Sequence, residues 1–247
     1  MPGAVVSENQ SCTKVSDMKA QTTRQNVVDL CRELAGCGFL AGTGGNIALR
    51  IDSEHFAVTP SATDYYAMDA ADVSVLRIAD LRQIEGERPP SVESSLHARV
   101  LRARPDCDAS IHTHQPVASA CALLGRPLAV AEPELQRLLG AQVALVGYAP
   151  SGTGWLAAKL SKALQPSINA YLMKNHGVLC CASNFAKAVQ TVAALESVAA
   201  DHLRRQILAR AEAEPARRPA LQRVLDALAK SAAAAPAVAT ISSPSTP

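Results

Sequence analysis

Cys107-Asp108-Ala109-Ser110-Ile111-His112-Thr113-His114 is the stretch around which the rest of the chain is read. Its alternation predicts a β-strand, and side chains two apart on a strand point the same way. His112 and His114 then stand side by side on one face. Neutral imidazole nitrogens are good donors to a divalent ion, whereas a buried pair without an ion must find hydrogen bonds for four ring nitrogens. An H-x-H pair by itself is more often a pair of satisfied or surface histidines than a metal site.

The neighbouring segments supply the frame. Residues 46–51 and 55–59 alternate on either side of an Asp52-Ser53 turn and predict a β-hairpin. Val73–Ile78 and Gln83–Glu85 predict a second strand pair. Helices are expected over 23–37, ended by Gly36 and Gly38, and over 92–103 with Ser91 as N-cap. Further helices are expected over 116–124, 156–164 and about 184–211, the last capped by Ser183. Val143–Val146, Ala170–Met173 and Val178–Cys181 predict strands. Strand pairs on tight turns interleaved with helices indicate an α/β domain with a mixed or largely antiparallel sheet, not repeated βαβ units.

Asn175-His176-Gly177 breaks two of those strands, and a loop residue in such a place is more often functional than structural. Two histidines from one strand and one from a distant turn leave a coordination position open, the mark of a catalytic site. Glu93 opens the 92–103 helix and is a candidate fourth ligand or base; its plainer role is a first-turn carboxylate facing the helix dipole. His97, four residues on, is expected in the core or behind a ligand, while His55 and His202 read as surface or packing residues. Gly42-Thr43-Gly44-Gly45-Asn46, Thr59-Pro60-Ser61-Ala62-Thr63 and Pro90-Ser91 offer backbone amides and hydroxyls of the kind that converge on an anion. Without G-K-[ST] and a following helix, the first is no P-loop.

Composition narrows the class. The 247 residues, 48% hydrophobic and 19% charged, suit one large globular domain. A net charge of +2 gives no reason to expect nucleic acid or an anionic membrane. No apolar run is long enough to span a bilayer, and the polar N-terminus has no secretory core, so a cytoplasmic protein is expected. Seven cysteines without a C-x-x-C pair read as small buried hydrophobes. Residues 1–22 lack periodicity and predict a flexible leader. The organisation expected is that leader, a 23–211 domain, and a 212–247 segment comprising a helix remnant and, from about Ser231, a disordered Ala/Pro-rich tail.

Taken together, G-T-G-G-N at 42–46, T-P-S at 59–61, P-S-V-E-S-S-L-H at 90–97, R-P-D at 104–106, H-T-H at 112–114 and K-N-H-G at 174–177 resemble the class II aldolase/adducin family, over roughly residues 24–205. The resemblance implies a single three-layer α/β/α domain, a homotetramer with active sites between subunits, and a small carbonyl substrate. It implies Zn²⁺, or another divalent ion such as Mn²⁺ or Co²⁺, on His112, His114 and His176. Glu93 would be the acid/base, with its pKa raised by burial or neighbouring charge. Gly45, Asn46, Ser61 and Ser91 would hold a substrate phosphate. The reaction implied is aldol-type lysis of a sugar or sugar-phosphate-like hydroxy-carbonyl compound through a metal-stabilised enolate.

The chain departs from the family's pattern at Val92, where sugar-phosphate aldolases usually carry a second Ser, and at Ala62, where the pattern has Gly. Ser151 stands where some fuculose-type enzymes carry Tyr, with Tyr148 three residues earlier, and Glu134 lies near the acid/base glutamate of the dehydratase branch. Decarboxylation, dehydration, epimerisation and a non-catalytic adducin-like scaffold are the alternatives within the family. A cupin also uses H-x-H, but cupins are all-β and the expected helices argue against one.

Overall fold

Strand β5 (Ala109–Thr113), buried at every position, lies at the centre of a nine-stranded sheet. It sits between β1 (Asn46–Arg50) and β9 (Gly177–Ala182), both antiparallel to it. The computed structural model describes residues 8–40, 42 and 44–234. The sheet continues on one side through β2 (His55–Val58), β3 (Ser74–Arg77) and β4 (Gln83–Glu85), and on the other through β8 (Ala170–Met173), β7 (Gln142–Val146) and β6 (Leu128–Ala129). Every neighbouring pair is antiparallel except β7 and β8, so the sheet is mixed and largely antiparallel, as the sequence indicates.

The alternation of each strand sorts its side chains to two cores. Ile47, Leu49, Ala109, Ile111, Val178 and Cys180 pack on one face against α1 (Glu8–Gly36), α3 (Pro116–Leu123) and α6 (Phe185–Ala213). On the other face Leu179, Cys181, Tyr171 and Met173 pack with α2 (Ser94–Ala103) and α5 (Gly154–Ala163), and Ala48, Phe56 and Leu76 pack with Ala98 and Leu101 of α2. The architecture is three layers, α/β/α. Cys31, Cys107, Cys121, Cys180 and Cys181 are buried free thiols.

Several elements depart from the sequence reading. Helix α1 starts at Glu8, so residues 8–22 are helical and not a flexible leader; residues 1–7 lie outside those described. No Gly or Pro occurs from Glu8 to Ala35, and a helix anchored by Val27, Val28, Leu30, Cys31 and Leu34 propagates backwards at low cost. The segment after 211 is more than a remnant. Pro215 ends α6, a 3₁₀ turn spans Pro215–Arg217, and α7 (Arg218–Ala234) folds back onto α6, where Leu225 and Leu228 face Ala200 and Leu208. The Leu221, Val224, Leu225, Leu228 spacing is the amphipathic signal that carries it; the expected disordered tail beyond Ala234 lies outside the described residues. A short helix, α4 (Pro133–Leu139), was not anticipated. Asn184, not Ser183, caps α6 by accepting from the Lys187 N–H. Helix α2 opens at Ser94, with Ser91 in the preceding turn accepting from the Glu93 N–H at 3.2 Å.

Gly140 joins α4 to β7 with φ of 94°, and a Cβ there would lie 2.3 Å from the Ser167 carbonyl oxygen. Gly154 opens α5 with open space around it. Gly140→Ala is expected to lose about 3 kcal/mol in urea unfolding, from left-handed strain plus the clash. Gly154→Ala should gain up to about 1 kcal/mol. Equal midpoints for the two variants would contradict this reading of the 140 turn.

Candidate metal centre and acid/base site

Three imidazoles converge at one end of the β5–β9 pair. His112 is fully buried in β5, His114 follows the strand end, and His176 lies in the turn between β8 and β9. Ring centroids are 4.7 Å apart for His112–His114 and His112–His176, and 5.3 Å for His114–His176. One donor atom from each lies within 4.8 Å of the others. The structure thus brings together the three histidines singled out from sequence.

The backbone accounts for the convergence. Asn175 adopts a left-handed φ of 58°, and the His176 N–H donates to the Met173 carbonyl, which folds the turn back over β5. A Cβ on Gly177 would lie 2.5 Å from His114 Cδ2 and 2.7 Å from the Thr113 oxygen, so only glycine lets the two strands approach this closely. Past the strand, Thr113 donates to Gln115 Oε1, Gln115 donates to the Val192 carbonyl, and the Val117 and Ala118 amides donate to Glu196. These bonds tie the segment carrying His114 to α6.

His112 Nδ1 donates to the Val178 carbonyl at 2.7 Å, so its Nε2 carries the lone pair. That Nε2 faces His114 Nε2 at 2.9 Å. Burial pushes the His112 pKa down to about 3, and burial with the neighbouring His176 lowers that of His114. His176 Nδ1 is buried without a hydrogen-bond partner. Neutral His112 and His114 rings with facing Nε2 atoms, and a donor atom of His176 within 4.8 Å, make a set that fits a divalent cation.

Glu93, 4% exposed, sits against this cluster. Its Oε2 lies 3.3 Å from His112 Nε2 and its Oε1 3.3 Å from His176 Nε2. Asn46 Nδ2 donates to Oε2 at 2.9 Å and Ser151 Oγ to Oε1 at 2.8 Å. The expectation of a raised pKa is reversed. Burial does push it up, but the adjoining His112 and the Asn46 and Ser151 donors outweigh burial and hold it at about 2. Glu93 is a carboxylate at neutral pH, ready to accept a proton. His97 is fully buried behind it, with Nε2 2.7 Å from Asn46 Oδ1 and Nδ1 2.8 Å from Ser110 Oγ.

The three amide- and hydroxyl-bearing segments are stitched together. The Ile47 N–H donates to the Thr59 hydroxyl oxygen, the Thr59 N–H to the Ile47 carbonyl, the Ser91 N–H to the Thr59 carbonyl, and the Ser61 N–H to that of Pro89. These bonds bring the segments of Gly45, Asn46, Ser61 and Ser91 together, with Asn46 and Ser91 buried; Thr43 lies outside the described residues. Tyr65, unremarked in the sequence, donates to the Gly45 carbonyl at 2.7 Å and fixes the glycine loop. Gly45, with φ of 90°, has the His112 oxygen 2.7 Å from where a Cβ would be. The Asn46 amide is engaged by Glu93 and His97. Ser151 was noted only as a substitute for tyrosine, and its bond to Glu93 spans 58 residues of sequence. Glu134 is exposed and pairs with Arg137 at 2.5 Å. Tyr148 is exposed. His55 pairs with Asp52, and His202 lies near Arg126.

Among described residues no helix is long and apolar enough to cross a membrane. The family profile described as Class II Aldolase and Adducin N-terminal domain matches residues 25–203. The 5-deoxy-D-ribulose 1-phosphate aldolase of Bacillus thuringiensis serovar kurstaki is 34% identical over 182 residues, covering 72% of this chain and 83% of that protein. The 5-methylthioribulose-1-phosphate/5-deoxyribulose-1-phosphate aldolase of Rhodospirillum rubrum is 28% identical over 203 residues, covering 82% and 89%. A solved L-fuculose 1-phosphate aldolase superposes with a TM-score of 0.69 at 29% identity, covering 75% of this chain and 86% of the other.

Burial pushes the His97 pKa down to about 4 from an ordinary 6.5. The folded state keeps this ring neutral while the unfolded state protonates it, so its stabilisation is complete above pH 6.5 and falls as pH drops towards 4. Across that window the His97 share is about 3 kcal/mol. His97→Gln should flatten the acid limb of thermal stability by an amount of that order, measured on both proteins in chelator. An unchanged acid limb would mean that His97 does not titrate this way.

Proposed function

The chain belongs to the class II aldolase and adducin N-terminal domain family, and from that premise we propose that it is a divalent-metal-dependent lyase of aldolase type. Its substrate is proposed to be a small ketose 1-phosphate of the kind its relatives' names carry. The observation that carries the reading is the convergence of His112, His114 and His176 with the Glu93 carboxylate against two of the rings.

His112, His114 and His176 would hold the cation; zinc is the proposed metal, with Mn²⁺ or Co²⁺ as substitutes that imidazole donors also suit. When bound, the cation supplies Lewis-acid polarisation of the substrate carbonyl and offsets the negative charge that develops as the C–C bond breaks. Retro-aldol cleavage removes the proton of the hydroxyl β to that carbonyl and adds a proton at the α-carbon. Glu93 would take the first on a carboxylate oxygen and deliver the second, a general acid/base role for which its anionic resting form is suited. Ser151 and Asn46 hold the two carboxylate oxygens apart and oriented. The backbone at Gly45 and the Ser61 and Ser91 segments would orient the substrate phosphate, with Asn46 at their edge. Its burial among these strands keeps bulk water from Glu93.

The 23–211 span is proposed as the catalytic domain, in line with the matched residues. Homotetrameric assembly is proposed as well: Val92, Tyr148 and Trp155 expose large apolar surface around the segments that carry Glu93 and Ser151, the kind of surface an assembly covers. The buried free thiols accord with a reducing cytoplasm.

Dialysis against EDTA should lower ketose 1-phosphate cleavage by more than about 100-fold, with recovery on adding Zn²⁺, Mn²⁺ or Co²⁺. His176→Ala should purify with less than a tenth of the wild-type metal by elemental analysis, about the loss expected for one of three ligands. Glu93→Gln should keep its metal and lose roughly 10²- to 10⁴-fold in kcat. Full turnover by metal-free protein would sink the assignment.

A further inference from the structure

We infer that His97 is a positioning residue for Glu93, acting through the orientation of the Asn46 side-chain amide; this rests on the reading of Glu93 as the proton carrier. The four groups Ser110, His97, Asn46 and Glu93 form one line of hydrogen bonds of 2.8, 2.7 and 2.9 Å. All four are buried: His97 and Ser110 completely, Asn46 at 6% and Glu93 at 4% exposure. Neighbouring strands build the line. Asn46 pairs with His112 and Ala48 with Ser110 between β1 and β5, which places Asn46, Ser110 and His112 on the face covered by α2, and His97 descends from α2 between them.

Only one direction of donation satisfies every member. A carboxylate accepts and cannot donate, so Asn46 must present its NH₂ to Glu93 and its carbonyl oxygen to His97. His97 must then carry its proton on Nε2 and accept at Nδ1, and the Ser110 hydroxyl must donate to it. The opposite ring tautomer would require the Asn46 NH₂ at His97. The amide would turn over, its oxygen would face the carboxylate, and Glu93 would lose a donor and gain a repulsive neighbour in a dry site. His97 thus reads out as a lock on the amide, and the amide as a lock on Oε2, which lies 3.3 Å from His112 Nε2. A histidine that merely filled space would need neither the Ser110 donor nor a particular tautomer.

The test uses the zinc-loaded full chain. Long-range ¹⁵N–¹H spectra of histidine-labelled protein at pH 7 should contain one neutral ring protonated at Nε2 that disappears in His97→Gln. Protonation at Nδ1, or a charged ring, overturns the relay whatever the enzyme does. In turnover, His97→Phe should lower kcat about 100-fold and Ser110→Ala about 10-fold, with KM within about 3-fold of wild type and zinc content unchanged. His97→Gln, whose amide can still donate to Asn46 Oδ1, should recover at least about 10-fold of the loss in the Phe variant. A folded His97→Phe with kcat within about 2-fold of wild type, or a Gln variant no better than Phe, refutes the positioning role. If His97→Phe does not fold, the Ser110→Ala kcat decides. If wild type cleaves no ketose 1-phosphate, the functional reading fails on its own, and the relay stands or falls on the ring tautomer.

Discussion

Everything at this centre depends on how closely β9 approaches the end of β5. Three imidazoles can share one small volume only if the strands that carry them run within backbone contact, and Gly177 is what permits it, with His114 Cδ2 and the Thr113 oxygen occupying the space of any side chain. The register Thr113↔Val178 and His112↔Leu179 then sets His176, at the turn, over His112. The same register offers the Val178 carbonyl to His112 Nδ1. One strand pairing therefore fixes both the place of the cluster and the tautomer of its most buried member. His112 lies within the paired strands, and His114 and His176 are held within two residues of their ends, which restrains all three more than a free loop would.

That proximity has an electrostatic cost, which the site limits by keeping its two fully buried imidazoles neutral. His97 and His112 are fully buried, and desolvation drives both pKa values well below the usual imidazole range. Glu93 beside them is ionised, and it has two donors, Asn46 and Ser151, one for each oxygen. A buried carboxylate without such partners would take up a proton instead. With them it stays anionic, and that negative charge favours a divalent cation at the adjoining rings. The Glu93 carboxylate and the proposed cation site are thus interdependent.

How much of this could be read from sequence follows from which interactions are local. The β5 strand, the one-sided placing of His112 and His114, and the break at Asn175-His176-Gly177 are consequences of period and turn chemistry within a few residues, and the structure agrees with all three. The paired hairpins on the β1 side of the sheet were equally legible. The Glu93–Ser151 bond was not, because it joins a helix entrance to a loop 58 residues later and no periodicity encodes it. Nor was the engagement of Asn46, which needs the Asn46↔His112 register before its amide can be placed. The direction of the Glu93 pKa is not legible in sequence because it is a contest between burial and four neighbours, His112, Asn46, Ser151 and His176, and sequence exposes only the burial. Over residues 8–22 the absence of apolar periodicity reads as an absence of structure. A helix nucleated at Val27–Leu34 nonetheless extends through polar residues that contain no breaker.

Asn46 also links the glycine loop to Glu93. It follows Gly45, whose carbonyl is held by Tyr65 and whose α-carbon lies against the His112 backbone, so the glycine loop cannot shift without moving β1 relative to β5. Its side chain meanwhile fixes a Glu93 oxygen. On the proposed function, a substrate anion drawing on the amides of this loop would therefore press on the same residue that orients the Glu93 carboxylate. Binding energy gained at the remote end of a substrate can in this way be used to align the carboxylate at the reacting end, which is the arrangement that turns affinity into rate. The strands make the coupling stiff, because β1 is hydrogen-bonded along its length to β2 on one side and β5 on the other.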